Sequence, residues 1–309
     1  MLSIIIPTYG RTDSLARLLK ILLVQTIADK MEVLLIDQNE AGFLEKEITL
    51  SRFLNVKCIR SEHPNVALAR NIGALHSEYS YLLFLDDDLV PGQNFCESGA
   101  DFFAMNTFIE CFTPWIKSDI AQVDAINPIK NNIVKKINDQ LFEITDTISA
   151  AVFITKKAFL KSGGFDAGLF EFARTAEDQE FFLRFKFKGI QLYYTTSFSI
   201  FHDETKTGGC DLRTVNYWIT REKCIRSWIY RYKIHRGGNL RLHLSDYINL
   251  SRSIFLNKAV LTSGMSSIIK QIQLFNKALA ETNGYLNLHK AAYTNPVGLT
   301  HLKTAGQNL

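Results

Sequence analysis

Three consecutive aspartates, Asp86, Asp87 and Asp88, stand directly after the apolar run 81–85. Neighbouring carboxylates repel one another, and a divalent cation bound between them offsets that repulsion. Mg²⁺ and Mn²⁺ prefer oxygen ligands, and Mg²⁺ commonly takes a small number of protein carboxylates together with substrate phosphates and water. The triplet therefore predicts a site for Mg²⁺ or Mn²⁺, with a solvated acidic turn as the alternative interpretation.

Acidic residues stand at two further positions of interest. Asp37 ends another apolar run, 32–36, and so has the same placement as Asp86. Glu177 and Asp178 begin a helical pattern that lies beyond a Gly-Gly turn, and this location makes the pair a second candidate for chemistry. Helix capping is the alternative for the pair, because the positive end of the helix dipole favours carboxylates.

The elements that must position these residues alternate over the first part of the chain. Short apolar runs, the predicted strands, cover residues 2–6, 32–36, 56–59 and 81–85, and the helical patterns between them begin at Thr12 and include 67–75. Continuous apolar runs separated by helices indicate an α/β fold with a mostly parallel sheet flanked by helices. Ligands bind such sheets at the carboxyl ends of the strands, where Asp37 and the aspartate triplet are expected to lie.

The middle of the chain has a less regular pattern. Residues 96–147 predict a helix, a strand and a long loop, whereas a strand at 149–155 and a short helix at 156–161 are clear. A helix is then predicted over 177–188, followed by two short strands at 191–194 and 198–202. Since the pattern changes near residue 205, we predict two domains, at 1–205 and 206–309.

The second domain is predicted to be mainly helical, with irregular structure from Asn283 onward. Its basic and aromatic residues interleave, and one helical face carries Trp218, Ile225, Trp228, Ile229 and Tyr232, flanked by Arg221, Arg226, Arg231 and Lys233. Such a helix can lie on an anionic membrane, with tryptophan at the headgroup level. Alternatively, the same apolar stripe packs on the first domain and the basic residues are solvated.

Composition limits the class of protein. The chain has 309 residues, 47% hydrophobic and 21% charged, and a net charge of only +4, so we expect a folded protein that does not bind nucleic acid. Its five cysteines lack a CxxC spacing, which favours a reducing compartment. A membrane span needs roughly 18 apolar residues in a row, and neither such a run nor a signal-peptide pattern occurs. We expect a cytoplasmic protein, at most peripheral on the inner face of the plasma membrane.

Several ordered motifs within residues 1–205 resemble the family 2 glycosyltransferases. The motifs are Ile5-Ile6-Pro7-Thr8-Tyr9-Gly10-Arg11, Gln25-Thr26, Asp37, Ala69-Arg70-Asn71-Ile72-Gly73, Phe84-Leu85-Asp86-Asp87-Asp88, Gly163-Gly164-Phe165-Asp166 and Glu177-Asp178. The resemblance implies a GT-A fold, which is a Rossmann-like, mostly parallel sheet flanked by helices, here with a helical C-terminal extension. It also implies an inverting enzyme that uses a nucleotide-diphosphate sugar and a divalent cation, Mg²⁺ or Mn²⁺.

The resemblance further implies a role for each matching residue. The nucleotide-sugar site would comprise Pro7, Thr8, Tyr9, Arg11, Asp37, Arg70, Asp86 and Asp87, with Gly164 and Glu177 on the acceptor side. Asp88 would bind the metal, and His202 is a second candidate ligand whose alternative is a structural or surface histidine. Asp178 would be the general base, which takes the proton of the acceptor hydroxyl as that oxygen attacks the anomeric carbon.

The predicted function is a nonprocessive glycosyltransferase that builds a cell-surface glycan, on a polysaccharide or lipid-linked acceptor. The QxxRW motif of processive synthases does not occur after Asp178, and Asp37-Gln38-Asn39 departs from the pattern of many relatives, which leaves the nucleotide base open. One alternative is a nucleotidyltransferase, although residues 7–11 match its phosphate loop poorly. The other is an inactive scaffold that binds nucleotide sugars, which the intact Asp88 and Asp178 disfavour.

Overall fold

Ten strands form one mixed sheet in the computed structural model, which describes residues 1–49, 55–118, 127–173, 177–203, 217–235, 248 and 265–294. The strands are β1 (Leu2–Thr8), β2 (Met31–Asp37), β3 (Val56–Arg60), β4 (Tyr81–Leu85), β5 (Leu89–Val90), β6 (Cys111–Ser118), β7 (Ile133–Lys136), β8 (Leu141–Ile144), β9 (Ala151–Thr155) and β10 (Leu192–His202). The helices are α1 (Thr12–Leu23), α2 (Phe43–Glu47), α3 (Val66–His76), α4 (Phe95–Met105), α5 (Lys156–Ser162), α6 (Ala167–Ala173), α7 (Glu177–Lys188), α8 (Tyr217–His235) and α9 (Met265–Thr294).

The strand order explains why one edge of the sheet can hold a site. The main path runs β3-β2-β1-β4-β9-β6-β10-β8-β7, and β5 pairs with β10. Strands β3, β2, β1 and β4 pair in parallel, whereas β9 is antiparallel to both β4 and β6. Strand β6 therefore points the same way as β4, and β10 pairs with β6 in parallel. The carboxyl ends of β1 to β4, β6 and β10 consequently share one edge, as predicted for an α/β sheet.

Helices cover both faces of the sheet, so its central strands are apolar on both sides. Ile4 and Ile6 of β1 lie in a cluster with the leucines of α1 and the phenylalanines of α4. Ile5, which points to the opposite face, lies in a second cluster with α3, α5 and α7. Burying one such side chain contributes roughly 1.5–3 kcal/mol. These two cores fix the strands whose ends carry the polar residues.

Two predictions of local structure were wrong. The expected strands at 191–194 and 198–202 form the single strand β10, whose pairing with β6 shifts register between Thr195 and Ser199. Residues 283–294, expected to be irregular, continue the long helix α9. The β7–β8 hairpin and the two-residue strand β5 were not predicted. Residues 295–309, and residues 204–216 that would contain the predicted domain boundary, lie outside the described residues.

The C-terminal helices pack against each other and against α6. Ile225 and Ile229 of α8 are buried with Ala278 of α9, and Tyr230 is buried with Leu169 of α6. Arg226 pairs with Glu222 and Glu281 and donates to the Phe172 carbonyl at 3.1 Å. The described part of the apolar stripe therefore packs on the protein.

Four residues of the predicted stripe and its flanks have side chains outside the described part: Trp218, Arg231, Tyr232 and Lys233. None of the described helices has the length and apolar character needed to cross a membrane.

Gly73 permits the close approach of α3 to β1. A Cβ atom at this position would overlap with Cγ2 of Ile5. We predict that Gly73→Ala lowers the free energy of unfolding by about 1–3 kcal/mol, because overpacking a filled core displaces side chains or backbone. Urea denaturation measures the change.

Gly284 in α9 provides the matched control, since a Cβ atom there would contact nothing within 4 Å. Gly284→Ala should raise the free energy of unfolding by about 0.5–1 kcal/mol through helix propensity. Equal effects of the two substitutions would contradict tight packing at Gly73.

Candidate active site

The aspartate triplet lies where the ends of β1, β4 and β10 meet. Asp87 accepts hydrogen bonds from Thr8 Oγ1 at 2.8 Å and from Arg11 Nη1 at 3.2 Å. Asp88 Oδ2 lies 2.8 Å from the same Arg11 nitrogen, and Asp88 Oδ1 lies 3.2 Å from His202 Nε2. The structure thus brings five of the predicted site residues into one polar network.

His202 reaches Asp88 because of a local strand pairing. The short strand β5 directly follows Asp88 and pairs antiparallel with the end of β10, where Leu89 lies opposite His202. The backbone N–H of Asp203 also donates to the Asp88 carbonyl at 3.1 Å. Sequence patterns cannot reveal this pairing, since residues 88 and 202 are far apart in the chain and β5 has only two residues.

Burial and nearby charge affect the three aspartates differently. Burial raises the pKa of Asp87 to about 7, although the charge of Arg11 and the hydrogen bond from Thr8 act to lower it. Burial also acts to raise the pKa of Asp88, but the hydrogen bond with His202 and the charge of Arg11 outweigh it, so the pKa of Asp88 is lowered. Asp88 is therefore the more strongly ionised of the two, as a metal ligand should be.

Arg70 joins the triplet to the second acidic pair. It is only 3% exposed, and its Nη2 lies 3.0 Å from Asp86 while its Nη1 lies 3.2 Å from Asp178. Glu177 is 3.8 Å from the same Nη1. The guanidinium lies over the ring of Phe165, 5.3 Å from its centroid. Both terminal nitrogens of Arg70 thus contact carboxylates that come from separate parts of the chain.

Gly164, a predicted acceptor-side residue, forms a turn together with Gly163, and this turn lies beneath Arg70. Gly163 and Gly164 have φ of 88° and 76°, in the left-handed region that favours glycine. The turn delivers Phe165, whose N–H and carbonyl bond the side chain of Asn71 at 2.8 and 2.9 Å. Since Asn71 neighbours Arg70 on α3, this turn fixes the surface on which the arginine lies.

Glu177 and Asp178 begin α7 as predicted, but their surroundings differ. Glu177 is buried, and burial together with the charge of Asp178 raises the pKa of Glu177 to about 8. Asp178 accepts from Arg70 through Oδ1, and its Oδ2 makes no hydrogen bond within the described part of the chain. Further along α7, Arg184 pairs with Glu180 and donates to the Ser162 carbonyl, which anchors the helix to α5.

The ends of β1 and β2 are joined by side-chain hydrogen bonds. Asp37 Oδ1 accepts from the backbone and side-chain nitrogens of Asn39, at 3.0 and 2.7 Å. Asn39 Oδ1 accepts the Gly10 N–H at 2.7 Å. Pro7 lies within β1, and Tyr9 is 37% exposed at the strand end. Asn39 is a structural member of this edge that the sequence did not single out.

A cavity of about 370 Å³ adjoins the polar network. Its described lining includes Trp115, Asn132, Asp146, Gln179, Tyr194 and His202, and it includes neither Gly164 nor Glu177. The sequence did not indicate Trp115 or Asp146, because residues 96–147 had no clear pattern from which a strand end could be placed. Gln179 adjoins Asp178 in sequence, so this cavity touches both candidate centres.

The donor atoms fit a divalent cation only if the substrate completes its coordination. The carboxylate of Asp88 suits Mg²⁺ or Mn²⁺, and the His202 nitrogen, 3.2 Å away from it, is a second donor atom. Within the described residues, no group of three His, Cys, Asp or Glu side chains is arranged to hold a metal ion. Such a two-residue site matches cations that take further ligands from phosphates and water.

Comparison with known proteins supports the resemblance. A family model described as Glycosyl transferase family 2 matches residues 3–161, just over half of the chain. A Haemophilus influenzae protein described as an uncharacterized glycosyltransferase is 29% identical over 187 residues, which are 60% of this chain and 61% of that protein. The chain thus spans less than two thirds of the length of this relative.

Solved structures share the fold. Staphylococcus aureus TarS 1–349, in complex with UDP-GlcNAc, superposes with a TM-score of 0.64 at 17% identity, covering 99% of this chain and 88% of that one. Mannosyltransferase PcManGT from Pyrobaculum calidifontis, in complex with GDP-Man and Mn²⁺, gives 0.57 at 15% identity, covering 99% and 86%. The predicted GT-A fold is confirmed. With its ordered motifs and the family match over residues 3–161, the chain belongs to glycosyl transferase family 2.

Proposed function

We propose that this chain is a nonprocessive, inverting glycosyltransferase that moves a sugar from a nucleotide-diphosphate donor to a hydroxyl of a glycan or lipid-linked acceptor. One observation carries the proposal: Arg70 joins Asp86 to Asp178, while Asp88 of the same triplet contacts His202. A site for the leaving diphosphate and a base for the acceptor hydroxyl therefore lie side by side. Residues 1–205 would form the catalytic domain.

The nucleotide would lie over the ends of β1 and β2. Asp37 Oδ2 makes no hydrogen bond with the described residues, so it can accept an N–H of the base, while Tyr9 is exposed beside it. Pro7 and Thr8, the last two residues of β1, would line the same nucleotide site. The complexes of TarS with UDP-GlcNAc and of PcManGT with GDP-Man are consistent with a nucleotide-sugar donor, and the base remains open.

Asp88 and His202 would hold the divalent cation, as Mn²⁺ or Mg²⁺. The chemistry that the cation supplies is stabilisation of the negative charge on the departing diphosphate. Mn²⁺ is present in the PcManGT complex, which supports a divalent cation here.

Arg11 has a second role in this proposal. In the free chain Arg11 pairs with Asp87 and Asp88, so it would have to release Asp88 before that carboxylate could hold a cation. The donor diphosphate would favour this release of Asp88, because its oxygens accept hydrogen bonds from the guanidinium nitrogens of Arg11. We therefore expect Arg11 to turn from Asp88 to the diphosphate when donor and cation bind together.

Asp178 is the better general base of the acidic pair. A base must be ionised before it takes a proton, and the raised pKa of Glu177 leaves that carboxyl largely protonated near neutral pH. Arg70 donates a hydrogen bond to Asp178 Oδ1, which leaves Oδ2 for the acceptor hydroxyl. Arg70 would position Asp86 and Asp178 relative to one another, and contact with the nucleotide or diphosphate, which the resemblance implies, stays a prediction. Glu177 and Gly164 stay acceptor-side candidates.

The cellular setting is also a proposal. We infer a role in cell-surface glycan synthesis on the cytoplasmic side, with peripheral contact to an anionic membrane. Because Arg226 is already paired with Glu222 and Glu281, other basic residues of the C-terminal region would have to provide that contact.

We predict that Asp88→Ala abolishes Mn²⁺-dependent binding of UDP or GDP, because it removes the ionised carboxylate that would hold the cation. Calorimetry with and without Mn²⁺ measures this. Asp101→Ala, at an exposed position of α4, is the control. Unchanged Mn²⁺-dependent affinity in Asp88→Ala would exclude this residue as a ligand.

We predict that Asp178→Asn lowers turnover by roughly 10²–10⁴-fold, the usual contribution of a positioned base. Asparagine keeps the size and most hydrogen bonds of the side chain but cannot take the proton. Donor affinity, measured separately by calorimetry, should stay nearly unchanged. Weaker donor binding with normal turnover would instead assign Asp178 to the nucleotide site.

We predict that wild-type stability falls relative to Glu177→Gln as the pH rises. Burial raises the pKa of Glu177 from 4.5 to about 8, so the folded chain holds this proton more tightly than the unfolded chain. The resulting stabilisation is complete below about pH 4.5 and is lost as the pH rises through about 8, whereas glutamine stays neutral.

Urea denaturation of wild type and Glu177→Gln between about pH 5 and 8.5 tests the sign of this linkage. Glu62→Gln, at an exposed position, is the control and should track wild type. A wild type that gains stability relative to Glu177→Gln with rising pH would contradict a raised pKa at this residue.

A further inference from the structure

We infer that the cavity beside His202 and Gln179 binds a neutral sugar ring of the acceptor, with Trp115 as its apolar platform and Asp146 as a partner for its hydroxyls. The inference rests on the proposed function and specifies the acceptor that the site takes. The cavity measures about 370 Å³, near the lower end of the roughly 300–1,000 Å³ typical of small-molecule pockets.

The location of the cavity points to the acceptor rather than the nucleotide. One end is formed by His202, which lies 3.2 Å from Asp88, and another part by Gln179, the neighbour of Asp178. The nucleotide candidates lie at the ends of β1 and β2, whereas the cavity lies at β6 and β10. Since β1 and β6 are three strand spacings apart, about 14 Å separates the two places. An occupant of this cavity approaches the reaction from the side opposite the nucleotide.

The lining combines aromatic surface with polar groups, which suits a sugar ring. Trp115 and Tyr194 provide aromatic surface, while Asn132, Asp146 and Gln179 provide polar groups. A pyranose has the same character, because its C–H faces are apolar and its rim carries hydroxyls. Aromatic surface with a few placed polar groups is also the general composition of a ligand pocket. The cavity therefore matches a carbohydrate better than a lipid chain.

The two residues assigned to recognition are held in place by neighbours. Lys117 lies over the Trp115 ring, 4.4 Å from its centroid, which restrains the indole through a cation–π interaction. Asp146 is buried and accepts from Asn132 Nδ2 at 2.5 Å. Such restraint lowers the entropic cost of binding, since these side chains need little further ordering.

The charge of the lining predicts which sugars are taken. Asp146 contributes a carboxylate to the lining, whereas Lys117, which lies against the Trp115 ring, is not among the described lining residues. An acidic or phosphorylated sugar would bring a second negative charge close to the Asp146 carboxylate, and like charges repel. The structure therefore favours neutral hexoses or N-acetylhexosamines over uronic acids.

Fluorine NMR of the full chain labelled with 5-fluorotryptophan tests the inference. The sequence has three tryptophans, so Trp115→Phe assigns the signal of Trp115, and Trp228 on α8 serves as an internal control. With UDP and Mn²⁺ present, methyl glycosides of glucose, galactose, mannose and N-acetylglucosamine are titrated one at a time. Methyl glucuronide is the matched acidic probe.

We expect at least one neutral glycoside to shift the Trp115 signal saturably while the Trp228 signal stays in place. Methyl glucuronide should bind more weakly, and Asp146→Asn should weaken the neutral probe roughly tenfold, since a hydrogen bond to a charged group is lost. Asp146→Asn should leave the UDP–Mn²⁺ affinity unchanged, which also shows that the variant is folded.

Two results would overturn the inference. In the first, no neutral glycoside of the set shifts the Trp115 signal. In the second, a UDP-sugar alone shifts that signal and competes with the glycosides, which would make the cavity a donor-sugar pocket. Absence of UDP–Mn²⁺ and GDP–Mn²⁺ binding in the wild type would instead contradict the proposed function, so the two failures are distinguishable.

Discussion

Five carboxyl groups, those of Asp86, Asp87, Asp88, Glu177 and Asp178, share one edge of the sheet with the two guanidinium groups of Arg11 and Arg70. Carboxylates so close together repel, and burial makes the charged forms still less favourable. Burial accordingly raises the pKa of Asp86 and Asp87 despite their arginine partners. The two guanidinium groups therefore do not fully stabilise the charged forms of these carboxyls, and a bound cation would stabilise them further.

The rest of the scaffold keeps this charge cluster assembled. Arg70 can reach Asp86 and Asp178 because Gly73 lets α3 lie against β1 and because the Gly163-Gly164 turn places Phe165 beneath the guanidinium. Hydrogen bonds to Asp166 also hold the turn in place. Asp166 accepts the N–H of Leu169 through Oδ1 and the hydroxyl of Tyr285 through Oδ2. Tyr285 belongs to α9, so the C-terminal helices support the turn on which Arg70 lies. This contact couples the helix α9 to the part of the chain that carries the candidate site.

Much of the sheet was predictable because its strands are apolar on both faces and end at conspicuous polar residues. The run 81–85 followed by three aspartates located both β4 and the site edge. The β7–β8 hairpin was missed because its strands are only four residues long and β7 is largely exposed. Strand β10 was divided in two because the register shift after Thr195 interrupts its pattern.

Several residues of the site could be predicted from sequence motifs, whereas the contacts between them were harder to predict. Thr8, Arg11 and Asp88 were identified from motifs, and the structure does bring them together. The bond from Arg70 to Asp178 spans 108 residues, so only the folded chain reveals it. Trp115 and Asp146 carried no signal at all, because a cavity is a property of several elements packed together. Tertiary packing therefore decides the cavity proposed for the acceptor, whereas strand-end motifs already indicate the residues proposed for the donor.

The stereochemistry of transfer tests the central claim most directly, since the proposed single displacement, with Asp178 as its one base, would invert the anomeric carbon. Proton NMR can follow the first product when the full chain, with Mn²⁺, hydrolyses or transfers from α-linked UDP- or GDP-sugars. The account predicts that the β anomer appears first, and that Asp178→Asn slows its appearance. First appearance of the α anomer would contradict a single displacement at this site.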